Sequence, residues 1–310
     1  MVQFPDIADS PIIGADLSGF LHRLPRLFRR HKLVQLLLAL RLVTRQQKVS
    51  FNGVGRLYAD LKDADARNIF LKESFEPDFF SIALPLAARG GPVFDVGANF
   101  GFCGFGLAAI VARPDFQLHL FEASASLCQI LQRSATLYPG RQIKVVHGCV
   151  SDTPGSSRFE SRESHRGQGR VSETGGERAV HILLDQYLAE QKLERVCFTK
   201  IDVEGHEMRV LRGAQRALAR GCLETIYFEA SAKNWAGQRF ALGDGIALLR
   251  QHGYTVYFCK PADLAGRPNV LTIHINGKQL KVAKLDDFEF PPDFHSDLLA
   301  VHAKSVRISY

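Results

Sequence analysis

The chain has 310 residues, enough to bury one large α/β core with room for an N-terminal extension, and its 46% hydrophobic and 23% charged composition is that of a soluble globular protein. The net charge of +7 hints at a polyanion partner, but nine of the 39 Lys/Arg fall between residues 17 and 59 with no acid among them, so that the remaining 30 face 32 acids. Charge therefore excludes nucleic-acid binding by the bulk of the protein.

Residues 1–20 carry acids and a proline and lack an apolar h-region, so no signal peptide is expected. Residues 17–59 alternate leucines with basics, and Leu33, Leu36, Leu37 and Leu40 recur at helical spacing. The apolar run LVQLLLAL is far short of the roughly 20 residues that a bilayer needs. A helix packed on the main domain with a solvated basic face is expected here. A sharper reading is peripheral contact of residues 17–59 with an acidic membrane or an anionic substrate. Residues 1–50 are thus set apart as a basic, partly helical extension, and residues 51–310 as the main domain.

VSFNGVGRLYADL reads as a hairpin about Asn-Gly, and DADARNIFLKESFEPDFFSIALPLAARGG as helical, ending at Gly-Gly. From Pro92 strands and helices alternate: PVFDVG, FQLHLFEA, IKVVHGCVSD, RVCFTKIDVEG, LETIYFEAS and YTVYFC are strands, with helical segments between most of them. This alternation predicts an α/β fold with a mostly parallel sheet and helices on both faces. Residues 153–178 break the rhythm as a polar insertion rich in Gly, Ser and Arg, expected as a solvated hairpin or a substrate-facing flap. The six cysteines (Cys103, Cys128, Cys149, Cys197, Cys222, Cys259) are never closer than 21 positions, which excludes CxxC motifs. Reduced, mostly buried thiols in a cytoplasmic protein are expected.

The turn after the first of these strands, Asp95-Val96-Gly97-Ala98-Asn99-Phe100-Gly101, is neither a P-loop nor G-x-G-x-x-G, because Asn99 replaces the glycine that admits a pyrophosphate. Asp95 suits a ligand with an ammonium or hydroxyls. Glu122 ends the second strand, where it can accept from ribose hydroxyls, and Asp152 ends the third, where it can accept from an adenine amino group. Three acids on three strand ends describe a slot for a phosphate-free nucleoside, and S-adenosylmethionine fits it. An NAD-dependent enzyme also wants an acid near Glu122, and each acid alone is often an N-cap.

The fourth strand ends in Asp202-Val203-Glu204-Gly205-His206-Glu207. Asp202 or His206 can take a proton from a substrate hydroxyl. The structural alternative is that Glu204 and Glu207 cap a helix and pair with Arg209 or Arg212. A divalent metal on Asp202, Glu204 and His206 is the weaker alternative, and no metal is expected.

FDVGANFGF, LFEAS and KIDVEGHEMRVLRGA together resemble the FkbM family of S-adenosylmethionine-dependent methyltransferases, with YADLKDAD, FEPDFF, LLRQHGY and NVLTIH as further matches across residues 51–301. The resemblance implies a Rossmann-like class I methyltransferase sheet of seven strands, the last antiparallel, and O-methylation of a hydroxyl on a sugar, glycan or polyketide-type natural product. Asp95, Gly97, Asn99, Gly101 and Glu122 would bind the cofactor, with Phe102 and Asp152 added to that set. Asp202 and Glu204 would lie at the methyl-transfer site, with His206 beside them. Two positions depart from the family: His206 stands where a small residue is common, and Ala123 where a proline is frequent. The other readings that remain are a non-catalytic S-adenosylmethionine-fold protein, binding an acidic partner through its basic N-terminus, and the NAD-dependent enzyme.

Overall fold

The computed structural model describes residues 29–162, 164–172, 176–267, 269–275, 278–286 and 288–305. Arg23 and Arg26, with the rest of the basic segment before residue 29, lie outside the described residues. The segment's helix, α1 (Arg29–Ala39), buries Val34 and Leu37 in the main core, while Leu36 and Leu40 remain 53% and 58% exposed. The buried stripe is thus centred one position away from the leucine spacing. No helix among the described residues is long and apolar enough to cross a membrane.

The expected hairpin forms as β1 (Gln46–Phe51) and β2 (Gly55–Asp60), paired antiparallel. The helical stretch that follows divides into α2 (Ala64–Lys72) and α3 (Pro77–Ala87). Glu73 and Glu76 adopt left-handed backbone angles between them, and Pro77 starts α3 where its missing N–H needs no partner. Asn52 clamps the joint, donating from its side chain to Phe75 O and accepting from Phe75 N–H.

Alternation then builds the central layer: β3 (Pro92–Val96), α4 (Phe102–Ile110), β4 (Gln117–Glu122), α5 (Ala125–Ala135), β5 (Gln142–His147) and, after the insertion, α6 (Leu184–Glu190) and β10 (Phe198–Ile201). Next come α7 (Glu207–Arg212), α8 (Gln215–Arg220), β11 (Thr225–Ser231), α9 (Ala232–Gly237), α10 (Leu242–Gln251), β12 (Tyr254–Phe258) and the short α11 (Pro261–Leu264). The chain closes with β13 (Val270–Ile275), β14 (Lys278–Lys284) and β15 (His295–His302). Glycines let the layers approach: a Cβ on Gly104 would strike Leu120 of β4, and one on Gly106 would strike Phe80 of α3.

The sheet order is β13-β14-β12-β15-β11-β10-β3-β4-β5. The α/β class is as expected, but the sheet has nine strands rather than seven, and it is mixed rather than mostly parallel. Its centre, from β5 through β4, β3 and β10 to β11, is parallel. β15 runs antiparallel between β11 and β12, and the β13–β14 hairpin adds antiparallel strands outside β12. The extra pair forms because Lys278–Lys284 buries Leu280, Val282 and Ala283 and leaves its lysines outward, the alternation of a half-covered edge.

The polar insertion is ordered into strands. β7 (Ser156–Arg162) and β8 (His165–Ser172) form a hairpin that joins β9 (Glu177–Ile182) and the short β6 (Cys149–Val150) in a second sheet, ordered β6-β9-β7-β8. Its tip is tied to the main domain where Ala64 N–H donates to Ser164 O at 2.9 Å.

Candidate functional site

Two turns lie side by side at the C-terminal ends of the neighbouring parallel strands β3 and β10. The ladder runs on to Asp202, whose N–H donates to Val96 O at 3.0 Å. Gly97 has φ +80°, and a Cβ there would fall on the carbonyl of Asp202. Only glycine meets both conditions, so the first turn can rest directly on the second. Asn99 is also left-handed, with φ 50°, a conformation that asparagine tolerates better than most residues.

Four amides of the first turn already have partners. Gly97 and Ala98 N–H both donate to Phe121 O at 3.0 Å, and Gly101 N–H donates to Ala98 O at 2.7 Å. Asn99 N–H donates to Glu122 Oε2 at 2.8 Å, and Ser124 N–H to Glu122 Oε1 at 2.8 Å. Burial raises the pKa of Glu122 against the backbone bonds from Ser124, Asn99 and Ala123. Asn99 Oδ1 is buried and has no partner.

In the second turn, Lys200 Nζ lies 3.0 Å from Asp202 Oδ2 and 3.5 Å from Asp95 Oδ1. Burial opposes the lysine's charge, but the two carboxylates outweigh it and hold its pKa well above the usual value. Asp202 is the open member, with its side chain 43% exposed. Glu204 has φ 53° and accepts from Asn234 Nδ2 at 3.2 Å. Burial, then the charge of Asp202, raises its pKa to about 7. His206 is 7% exposed; burial, then Arg209, lowers its pKa to about 4.

Gly97, Asn99, Glu122, Asp202, Glu204 and His206 line one cleft. Phe159 of β7 and Gly169 of β8 complete its wall, so the insertion contributes directly to the site. The remaining sequence candidates lie elsewhere. Asp95 is 2% exposed and turns inward, accepting from Gly104 N–H at 3.1 Å and pairing with Lys200. Gly101 and Phe102 open α4 behind the cleft. Asp152 pairs with Arg209 at 3.2 Å. Among the described residues no three His, Cys, Asp or Glu side chains converge to hold a metal ion.

Sequence reasoning missed Lys200 and the insertion's aromatic, Phe159. A lysine inside the buried run CFTKID was a usable signal, since lysine is almost never buried unless paired. Nothing local marked Phe159. Glu207 caps its own turn, which bears out the structural alternative only in part: Oε1 accepts from Val203 N–H at 3.0 Å and Gly205 N–H at 3.2 Å, whereas Glu204 accepts from Asn234 and Arg209 pairs with Asp152.

Glu207 also yields a pH prediction. It is fully buried, Oε2 has no partner, and burial raises its pKa from an ordinary 4.5 to about 7. The folded state therefore keeps a proton that the unfolded chain releases, and this contribution to stability is lost as pH rises from 4.5 through 7. His206, lowered from 6.5 to about 4, acts in the opposite sense and stabilises as pH rises through that window. Glu207→Gln removes only the first effect. Its stability relative to wild type should rise by on the order of 3 kcal/mol between pH 4.5 and 7.5, read from urea unfolding. A difference that stays flat with pH would show that Glu207 does not titrate in this way.

The sequence profile of the methyltransferase FkbM domain matches residues 95–256, just over half of the chain, and every candidate site residue falls within it. The chain is 28% identical over 144 residues to the hexuronic acid methyltransferase AglP of Haloferax volcanii, covering 46% of this chain and 58% of AglP. It is 29% identical over 201 residues to the 31-O-demethyl-FK506 methyltransferase FkbM of Streptomyces tacrolimicus, covering 54% of this chain and 74% of that protein. Among solved structures, the methyltransferase FkbM of Methylobacillus flagellatus KT aligns with TM-score 0.41 and 15% identity, over 69% of this chain and 44% of that one. The chain thus spans less than two thirds of the length of AglP. By the profile match, which takes in both turns of the cleft, the chain belongs to the methyltransferase FkbM domain family.

Proposed function

We propose that the protein is an S-adenosylmethionine-dependent O-methyltransferase acting on a hydroxyl of a sugar, glycan or polyketide-type natural product. What carries this is the donor–acceptor balance of the cleft. The amides of Gly97, Ala98, Asn99 and Gly101 are all occupied internally, so these four are not free to cradle a pyrophosphate. Acceptors are in surplus: Asn99 Oδ1 is unpartnered, Asp202 is open to the cleft, and Glu122, with three backbone donors on its two oxygens, keeps one lone pair. Hydroxyls and an ammonium satisfy such a set, whereas the pyrophosphate of a dinucleotide finds acceptors where it needs donors.

S-adenosylmethionine supplies a sulfonium methyl already activated for transfer. The protein's part is then to orient, to exclude water and to accept a proton. Glu122 receives the ribose hydroxyls, and the Gly97–Asn99 turn gives the backbone its close approach. Asp202, with Glu204 and His206 beside it, takes the proton of the acceptor hydroxyl. The β7–β8 hairpin shields one side of the cleft. The acceptor class follows the relatives, whose names specify a hexuronic acid for AglP and 31-O-demethyl-FK506 for FkbM. All six cysteines are free and buried, which fits a cytoplasmic location.

Isothermal titration tests the cofactor directly. S-adenosylhomocysteine should bind with measurable heat and NAD should give none. Silence with S-adenosylhomocysteine would remove the methyltransferase assignment, and heat with NAD alone would restore the dinucleotide alternative.

A further inference from the structure

Beside the transfer cleft lies a second cavity of about 420 Å³. Ser157 and His181 of the insertion sheet form one wall, Arg209 of α7 another, and Gln238 and Arg239 after α9 a third. His206 lines both cavities and is the partition between them. Two guanidiniums line the second cavity and no carboxylate does.

The donors are held in place. Arg209 gives one N–H to Asp152 at 3.2 Å, which fixes the guanidinium and leaves most of its five donors for another acceptor. Arg239 is exposed, with φ 65°, and among the described residues it has no ion-pair partner. His181 Nδ1 must donate to Thr153 O at 2.8 Å, so its Nε2, 2.7 Å from Ser157 Oγ, accepts the serine proton when the ring is neutral.

His206 completes the arrangement. Ser151 Oγ donates to Asp152 Oδ1 at 3.5 Å, and His206 Nε2 lies 3.4 Å from Ser151 Oγ, placed to donate to it. That assigns the ring proton to Nε2 and leaves Nδ1 as a buried lone pair with no partner. A histidine held neutral by burial, with a free lone pair, asks for a hydroxyl donor.

We propose that this second cavity takes the anionic group of the methyl acceptor, a carboxylate or a phosphate, on Arg209 and Arg239, while the acceptor's hydroxyl is presented across the partition at His206. The acceptor role rests on the methyltransferase assignment; anion binding by the cavity does not.

Binding can be read without turnover, from the imidazole resonances of His181 and His206 in the full chain labelled with 15N-histidine. Glucuronate, glucose 6-phosphate and glucose are titrated in parallel. A saturable shift of both histidines with either anionic sugar and none with glucose supports the proposal, and the stronger of the two anions names the carboxylate or phosphate class. Arg239→Asn, which suits the left-handed backbone, should weaken that binding about tenfold, and Arg239→Lys should restore most of it. Equal response to glucose, no response to any of the three, or wild-type affinity in Arg239→Asn overturns it. Titration of S-adenosylhomocysteine keeps the two ideas separable: cofactor binding without anion binding sinks only the second cavity, and the reverse sinks only the methyltransferase assignment.

Discussion

Asp202→Asn is expected to slow methyl transfer by about 10²–10⁴-fold, the usual contribution of a positioned proton acceptor. Affinity for S-adenosylhomocysteine should change by less than about threefold, under 1 kcal/mol. The substitution keeps the side chain's size and removes its charge and basicity, which weakens the pairing with Lys200, 3.0 Å from Oδ2. The cofactor's proposed contacts lie on the other turn, at Glu122 and Asn99, so binding and chemistry should separate. Glu204 provides the internal control. Its pKa, raised to about 7 by burial and then by the charge of Asp202, makes it the rival base. If Glu204 accepts the proton, Asp202→Asn removes a like charge. The acidic limb of kcat/KM then moves to lower pH, with a loss of less than about tenfold. A large loss with an unmoved limb assigns the proton to Asp202; wild-type rates with an unmoved limb send it to His206.

Lys200→Met should destabilise the fold by about 3–5 kcal/mol, the penalty for leaving one half of a buried ion pair alone. The stranded group is Asp95, 2% exposed, whose remaining donor is Gly104 N–H at 3.1 Å. Burial already raises the pKa of Asp95 with Lys200 present; without the lysine's opposing charge it should rise further. Asp202 suffers less, because water reaches it. Asp95→Asn combined with Lys200→Met should recover most of the loss, since removing both members of a buried pair is far milder than removing one. Urea unfolding of the two variants decides the matter. A Lys200→Met protein within about 1 kcal/mol of wild type would mean that the lysine does not carry the charge of Asp95. The same pair bears on catalysis, because Lys200 links the buried acid of β3 to the open acid after β10 and so joins the two turns electrostatically as well as through Gly97.

Much of the site was legible because it is local. Gly97, Asn99 and Gly101 announce a left-handed turn, since few other residues adopt those angles, and all three do so. KIDVEGHE announces a strand that stops abruptly among charges, and β10 ends at Ile201, one residue before Asp202. The alternation of apolar runs predicted the α/β layering because burial on both faces leaves a continuous apolar signature. The joint between α7 and α8 was less visible: Gly213 follows the first helix and must be glycine because a Cβ there would strike Ser151 O, 62 positions away in the chain.

The sequence by itself determined the alternating strands and helices of the central layer, the left-handed glycine turn after β3, and which turn carries acids, because these depend on side-chain periodicity and on steric limits within a few residues. Tertiary structure alone decided partners and direction. Asp95 sits at the end of β3 but turns inward to Lys200, whereas Asp152 does not end β5, which stops at His147; it follows β6 of the second sheet and turns to Arg209. The insertion became a wall of the cleft only when β7 and β9 paired. The antiparallel half of the sheet formed because β15 found β11 and β12, separated from it by tens of residues. A strand's composition fixes how much of it must be buried. Which neighbour satisfies its hydrogen bonds, and which charge answers a buried acid, is settled when distant segments meet.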